Sequence, residues 1–319
     1  MKRARSAGIA ALTAAIAALL AAASARAGDG AAQRGRAVLE AAGGCTCHSD
    51  VKGGGGPLAG GRAMKTPFGV FYSTNITPDP ETGIGRWSDS EFVRAMREGL
   101  APDGHAYFPV FPYPSFTGMG DEDVLAMKAY LFSLAPVRRE NRPHDAWPPF
   151  SWRIAASAWR WMFFEPRRFA PDPARTPEWN RGAYLVAAVA HCGECHTPRT
   201  LPGALDRSRW LAGSKDGPEG ELAPNLTPDA DTGIGLWTKT DIAWFLQTGQ
   251  LPDGDDTEGL MAEVIEHGFA HVPESDLQAI AVYLHALPPV RNDALAEHDH
   301  EHQHEHEHQD EDERAESSP

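Results

Sequence analysis

One long stretch of this chain is spelled twice. Asn75-Ile-Thr-Pro-Asp79 returns as Asn225-Leu-Thr-Pro-Asp229, and Thr82-Gly-Ile-Gly85 with Trp87 returns as Thr232-Gly-Ile-Gly235 with Trp237. Pro102-Asp-Gly104 then answers Pro252-Asp-Gly254, and Asp123 to Leu131 answers Asp276 to Leu284. Each copy opens with a cluster of its own, Cys45-Thr-Cys47-His48 in the first and Cys192-Gly-Glu-Cys195-His196 in the second. A match sustained this far marks the duplication of one folding unit with small insertions. Whatever the unit is, the chain has to build it twice.

Both copies read as helices separated by loops. Gly35 to Gly43 and Gly182 to His191 form a short helix running into the cluster. Gly/Pro-rich loops follow, too irregular for helix or strand. Ser88 to Glu98 and Thr240 to Gln247 carry apolar residues at helical spacing behind Ser or Thr caps. The last helix of each copy, Asp121 to Ser133 and Glu274 to Ala286, begins with acids and stops before a proline. Strand signals are nearly absent, so the expected fold is all-α: two tandem helical units, 28–139 and 176–292. A proline-, arginine- and aromatic-rich linker, 140–175, joins them and carries Trp147, Trp152, Trp159, Trp161, Phe163 and Phe164. Two readings of those aromatics stand side by side: glue between the units, or a basic-aromatic patch for docking or membrane contact.

The second cluster states its chemistry. Cys192, Cys195 and His196 are C-x-x-C-H, the spacing of covalent c-type haem attachment. Two thiols one helical turn apart can add to the two vinyls of one porphyrin, and the adjacent imidazole becomes the proximal iron ligand. The first cluster is one residue short. Sulfurs at i and i+2 face different sides of a helix, which leaves three readings open: a distorted turn that uses both sulfurs, a single thioether from Cys47 with His48 still ligating, or loss of the first haem. The intact remainder of the first copy favours two covalently attached haems c.

The N-terminus agrees with that chemistry. Lys2, Arg3 and Arg5 precede an alanine- and leucine-rich run from Ala7 to Ala23, and Ala25-Arg26-Ala27 is a small-x-small cleavage site. Residues 1–27 therefore read as a secretory signal peptide, and the periplasm as the destination. All four cysteines lie in the two clusters, leaving none for a structural disulfide. The net charge of −15 argues against nucleic-acid binding. Much of it lies in the tail, 293–319, where ten acids face Arg314 alone from Glu297 onward. There His298, His300, His302, His304, His306 and His308 alternate with acids and glutamines. So little apolar surface predicts disorder, and the imidazoles could capture a divalent metal.

The repeated N-[IL]-T-P-D-x-x-T-G-I-G-x-W block and His191-Cys-Gly-Glu-Cys-His-Thr-Pro-Arg199 resemble the class I-type multihaem cytochromes c related to the cytochrome subunits of periplasmic alcohol and gluconate dehydrogenases. The resemblance runs from about Gly30 to Val290. Those subunits usually carry three haems and an anchoring tail, so two units resemble the dihaem variants. The resemblance implies a methionine as the sixth iron ligand, whose thioether raises the potential. Met261 is the only methionine after His196, with His267 and His271 as competitors. In the first copy Met119 matches the family's distal position, ahead of Met64, while Met96 and Met127 fall at core-like helix positions. The resemblance further implies that Asn75, Trp87, Asn225 and Trp237 line the haem edges or propionates.

The function expected from these readings is electron transfer between a periplasmic dehydrogenase and a downstream acceptor such as a cytochrome or oxidase. A haem enzyme with an open first iron, such as a dihaem peroxidase or thiosulfate-oxidising cytochrome, is the alternative. A metal-handling protein acting through its histidine tail is a third reading.

Overall fold

A computed structural model describes residues 28–293 of the chain. The signal-peptide reading of 1–27 and the histidine tail from 294 onward lie outside the described residues. Helix α1 spans 28–41 and runs into an irregular 3-10 turn, Gly43–His48. A hairpin of β1, Ala63–Thr66, and β2, Gly69–Tyr72, follows. Helices α2, Asp89–Glu98, α3, Tyr113–Phe116, and α4, Asp121–Ser133, complete the first half. The linker supplies β3, Asp145–Ala146, and α5, Arg153–Phe163. The second half contains α6, Pro177–Tyr184, continued as a π-helical turn Leu185–Val189, then α7, Gly193–His196, and α8, Lys239–Thr248. It closes with α9, Gly259–His267, and α10, Glu274–His285.

The duplicated sequence makes duplicated local structure. Ser88 and Thr238 each close a capping box, with Glu91 and Asp241 reaching back to the cap N–H. Gly99 and Gly249 end the two helices in the left-handed conformation. In each half the first helix crosses the last at a glycine. A Cβ on Gly35 would stand 1.8 Å from the Ala126 carbonyl oxygen, and one on Gly182 would stand 1.9 Å from that of Ala279. Only hydrogen permits the two backbones to come so close.

The structure departs from an all-α fold at one place. β1, β2 and β3 form a three-stranded antiparallel sheet, with Met64 opposite Phe71 and Val70 opposite Asp145. Its core face buries Phe71 with Phe108 and with Ala156 of α5. The strands are short, and β3 arrives from far along the chain, so no periodic pattern announced them; the β-rich run Gly69-Val-Phe-Tyr72 was the available signal. The fold is mainly helical with this small sheet attached.

Helix α5 lies against the sheet and the first half. Trp159 also donates its indole N–H to Pro202 O of the second half at 2.7 Å, and Arg160 donates to Glu98 O at 2.6 Å. Trp159 and Phe164 pack edge-on to Tyr113. These residues fit the glue reading; Trp147, Trp152, Ile154 and Trp161 face outward. No described helix is long and apolar enough to cross a membrane.

The halves share one continuous apolar core. Leu39, Met96, Val124 and Met127 of the first join Val186, Leu246, Leu277 and Ile280 of the second in a single buried cluster. The packing is reciprocal. Helix α9 of the second half covers the Gly43–His48 turn, where a Cβ on Gly43 would touch Val264. Helix α3 of the first half covers the π turn leading to Cys192, with Phe116 edge-on to His191 at 5.0 Å. Arg62 bridges Glu219 and Glu263 across the halves. Tyr184 donates to Asp123 at 2.6 Å, and Ser115 to the buried Glu194 at 2.6 Å.

Candidate functional site

Each histidine next to a cluster is held the same way. His48 Nδ1 lies 2.7 Å from Thr74 O, and His196 Nδ1 lies 2.8 Å from Pro224 O. A carbonyl can only accept, so each Nδ1 carries the proton and each Nε2 keeps its lone pair for a metal. Burial holds both imidazoles below their usual pKa, which keeps them neutral. Among the described residues no three His, Cys, Asp or Glu side chains converge on a bare ion. A single free imidazole beside two free thiols fits a haem iron held mainly by its porphyrin. The donor set suits haem c.

The two orienting carbonyls belong to Thr74 and Pro224, the residues just before the repeated asparagines. This gives Asn75 and Asn225 a role other than the expected contact with haem. Asn75 is 2 % exposed, and its Nδ2 donates to Thr82 Oγ1 at 3.1 Å and Val137 O at 2.7 Å. Its Oδ1 accepts from the Thr77 N–H and hydroxyl. Asn225 repeats the pattern with Thr232, Val290 and Thr227. With both amide hydrogens and the carbonyl already engaged, neither side chain has a donor left for a propionate. They brace the loop whose first carbonyl orients the histidine. Trp87 and Trp237 lie half-buried against the core, and neither indole N–H has a protein acceptor among the described residues, so both keep a donor to offer.

The attachment turns differ. Cys192 begins the helical turn α7, and the amides of Cys195 and His196 donate to its carbonyl at 3.3 and 2.9 Å. In the first half Gly43, Gly44 and Cys45 all have positive φ, with Cys45 at φ 51, ψ 37. A non-glycine residue adopts that left-handed conformation only at a cost. The second copy has a single left-handed residue before its first cysteine, His191 at φ 45, so the shorter cluster sits on a more distorted backbone than the regular one. All four thiols are free. Burial, then neighbouring Glu194 and to a lesser extent Cys47, pushes the Cys195 thiol up to about 12.

The methionines fall into two kinds. Met261 sits in the first turn of α9, half-buried against the shared core, whereas His267 and His271 are exposed. Met119 is fully buried directly before the Gly120 N-cap of α4, the place that Val272 occupies before Pro273 and α10. Met96 and Met127 are buried at the positions of Leu246 and Ile280. Met64, on β1, packs against the separate cluster beneath the sheet.

No protein-family model matches the chain. The diheme cytochrome c-type protein of Cereibacter sphaeroides is 39 % identical over 265 residues, covering 82 % of this chain and 87 % of that protein. The gluconate 2-dehydrogenase cytochrome c subunit of Pantoea cypripedii is 40 % identical over 273 residues, 82 % of this chain and 60 % of the subunit. A nicotinate dehydrogenase subunit of Pseudomonas putida is 44 % identical over 256 residues, 80 % of this chain but 21 % of that larger protein. The chain therefore spans nearly all of the first relative and only part of the other two.

Proposed function

The chain belongs to the dihaem c-type cytochromes related to the cytochrome c subunits of gluconate and alcohol dehydrogenases, and from that premise we propose that it holds one covalent haem in each half and carries electrons from a periplasmic dehydrogenase to a downstream redox protein. Haem supplies the one-electron chemistry. The protein supplies attachment, axial ligands and burial. Cys192 and Cys195 hold the second haem, with His196 as proximal and Met261 as distal ligand. Cys47 and His48 hold the first, with Cys45 in the distorted turn beside them. Trp87 and Trp237 offer indole donors near the haem edges.

One observation carries the reading: two cysteine–histidine clusters, each with its imidazole oriented by the carbonyl that precedes an N-x-T-P-D block. The geometry also explains why both halves are kept together. Helix α9, with Met261 in its first turn, covers the first attachment turn, and α3 covers the approach to the second. The two clusters are thereby held in a fixed relation, which suits a relay. The test uses the exported, mature protein. Intact mass and a pyridine haemochrome assay should give two haems, and a substrate-reduced alcohol- or gluconate-type dehydrogenase should reduce both. A mass without haem, or haems that the dehydrogenase leaves oxidised, would overturn the proposal.

A further inference from the structure

Two halves that share a loop, a cap and a histidine held the same way differ at the position of Met261, the ligand proposed for the second iron. The register between them is fixed just upstream of that ligand. Leu100 bridges Ala106 as Gln250 bridges Asp256, Ala101 N–H donates to His105 O as Leu251 donates to Asp255, and Tyr107 N–H donates to Gly99 O as Thr257 donates to Gly249. Counting on from these pairs, Phe111 stands where Met261 stands. Both side chains are half-buried against the same core. The other methionines near the first half's main core, Met96, Met119 and Met127, are buried at the positions of Leu246, Val272 and Ile280, side chains that have no lone pair to offer an iron.

Resting on the reading that the first half carries a haem, we propose that its iron has no protein ligand on the Phe111 side and binds a small neutral diatomic molecule there. The surroundings suit that class. Phe111 lies 5.5 Å from the Tyr107 ring, 5.9 Å from Phe116 and 6.4 Å from Tyr113. An aromatic setting of this kind admits an uncharged diatomic without desolvation cost. The second iron, ligated by His196 and Met261, remains the electron carrier. The molecule thus pairs one closed site with one open site.

Carbon monoxide is the probe, added to the reduced holoprotein after intact mass has counted its haems. One molecule should bind per two haems, and the oxidised protein should show one high-spin and one low-spin ferric signal. Phe111→Met should convert the high-spin signal to low spin, add the far-red charge-transfer band of a methionine–iron bond and abolish carbon monoxide uptake. Met119→Leu should leave the wild-type spectra unchanged. A mass with one haem removes the two-haem reading and this inference with it. Two haems that both refuse carbon monoxide, or a low-spin first haem that turns high-spin in Met119→Leu, overturn this inference alone.

Discussion

The first and second attachment turns began as copies and now solve the same problem differently. The second holds Cys192, Cys195 and His196 on one regular helical turn. The first reaches His48 through three left-handed residues, and yet its imidazole ends on the same hydrogen bond. What both halves keep is the histidine, its orienting carbonyl and the asparagine brace. What they do not share is the cysteine spacing and the residue at the Met261 position, which is Phe111 in the first half. The orientation of the histidine is therefore what the two copies have held fixed, while the cysteine spacing has diverged.

The largest test of that contrast is Met261→Ala. It should make the second half resemble the first, turning a low-spin haem high-spin and lowering its potential by a sizeable part of the ~0.8 V that axial ligands span. Spectropotentiometry reads both; an unchanged second haem would reassign the ligand. Next come the cysteines. Cys45→Ala should retain covalent haem in the first half, attached through Cys47, and Cys47→Ala should lose it. The wild-type haemochrome should already show one red-shifted component from an unreacted vinyl. Haem loss in the Cys45 variant, seen by intact mass, would mean that the left-handed turn delivers both sulfurs.

Smaller effects compare the scaffolds. Gly35→Ala and Gly182→Ala each drive a methyl into a carbonyl of the crossing helix, and each should cost about 1–3 kcal/mol in denaturant unfolding. Unequal costs would show that one crossing is looser. The smallest concerns a pin found in the first half, Asp50 with Arg139 at 2.7 Å; Pro198 stands opposite Asp50 in the second copy. The Arg139 hydrogen bond holds the Asp50 carboxyl below its ordinary value. Its stabilisation is therefore present above a pH of about 4 and fades as pH falls through the lowered folded-state value. Asp50→Asn should cost about 1 kcal/mol near neutrality and little in acid, by unfolding at both pH values.

Local chemistry made much of this legible in advance. The Ser88 cap, the acid-led last helices and the core positions of Met96 and Met127 all rest on neighbours within a turn or two, whereas the second copy's helix, read from Thr240, starts earlier behind Thr238. The sheet did not, because β3 pairs across a long separation and is two residues long. The hydrogen bonds of the asparagines were hidden for a related reason: their partners, Val137 and Val290, arrive from the far end of each unit. Phe111 was within reach. Laying the second copy over the first puts it under Met261, but attention to methionines alone passes over a phenylalanine.

The single apolar core has a consequence for how the protein comes apart. A duplicated gene invites the picture of two modules on a tether, each melting at its own temperature. Here Val186 and Leu277 are buried in the same cluster as Met119 and Val124, so neither half can open without exposing the other's interior. Scanning calorimetry of the holoprotein should show one cooperative endotherm rather than two. By the same coupling, a lesion confined to one haem would be paid for in the heat stability of both.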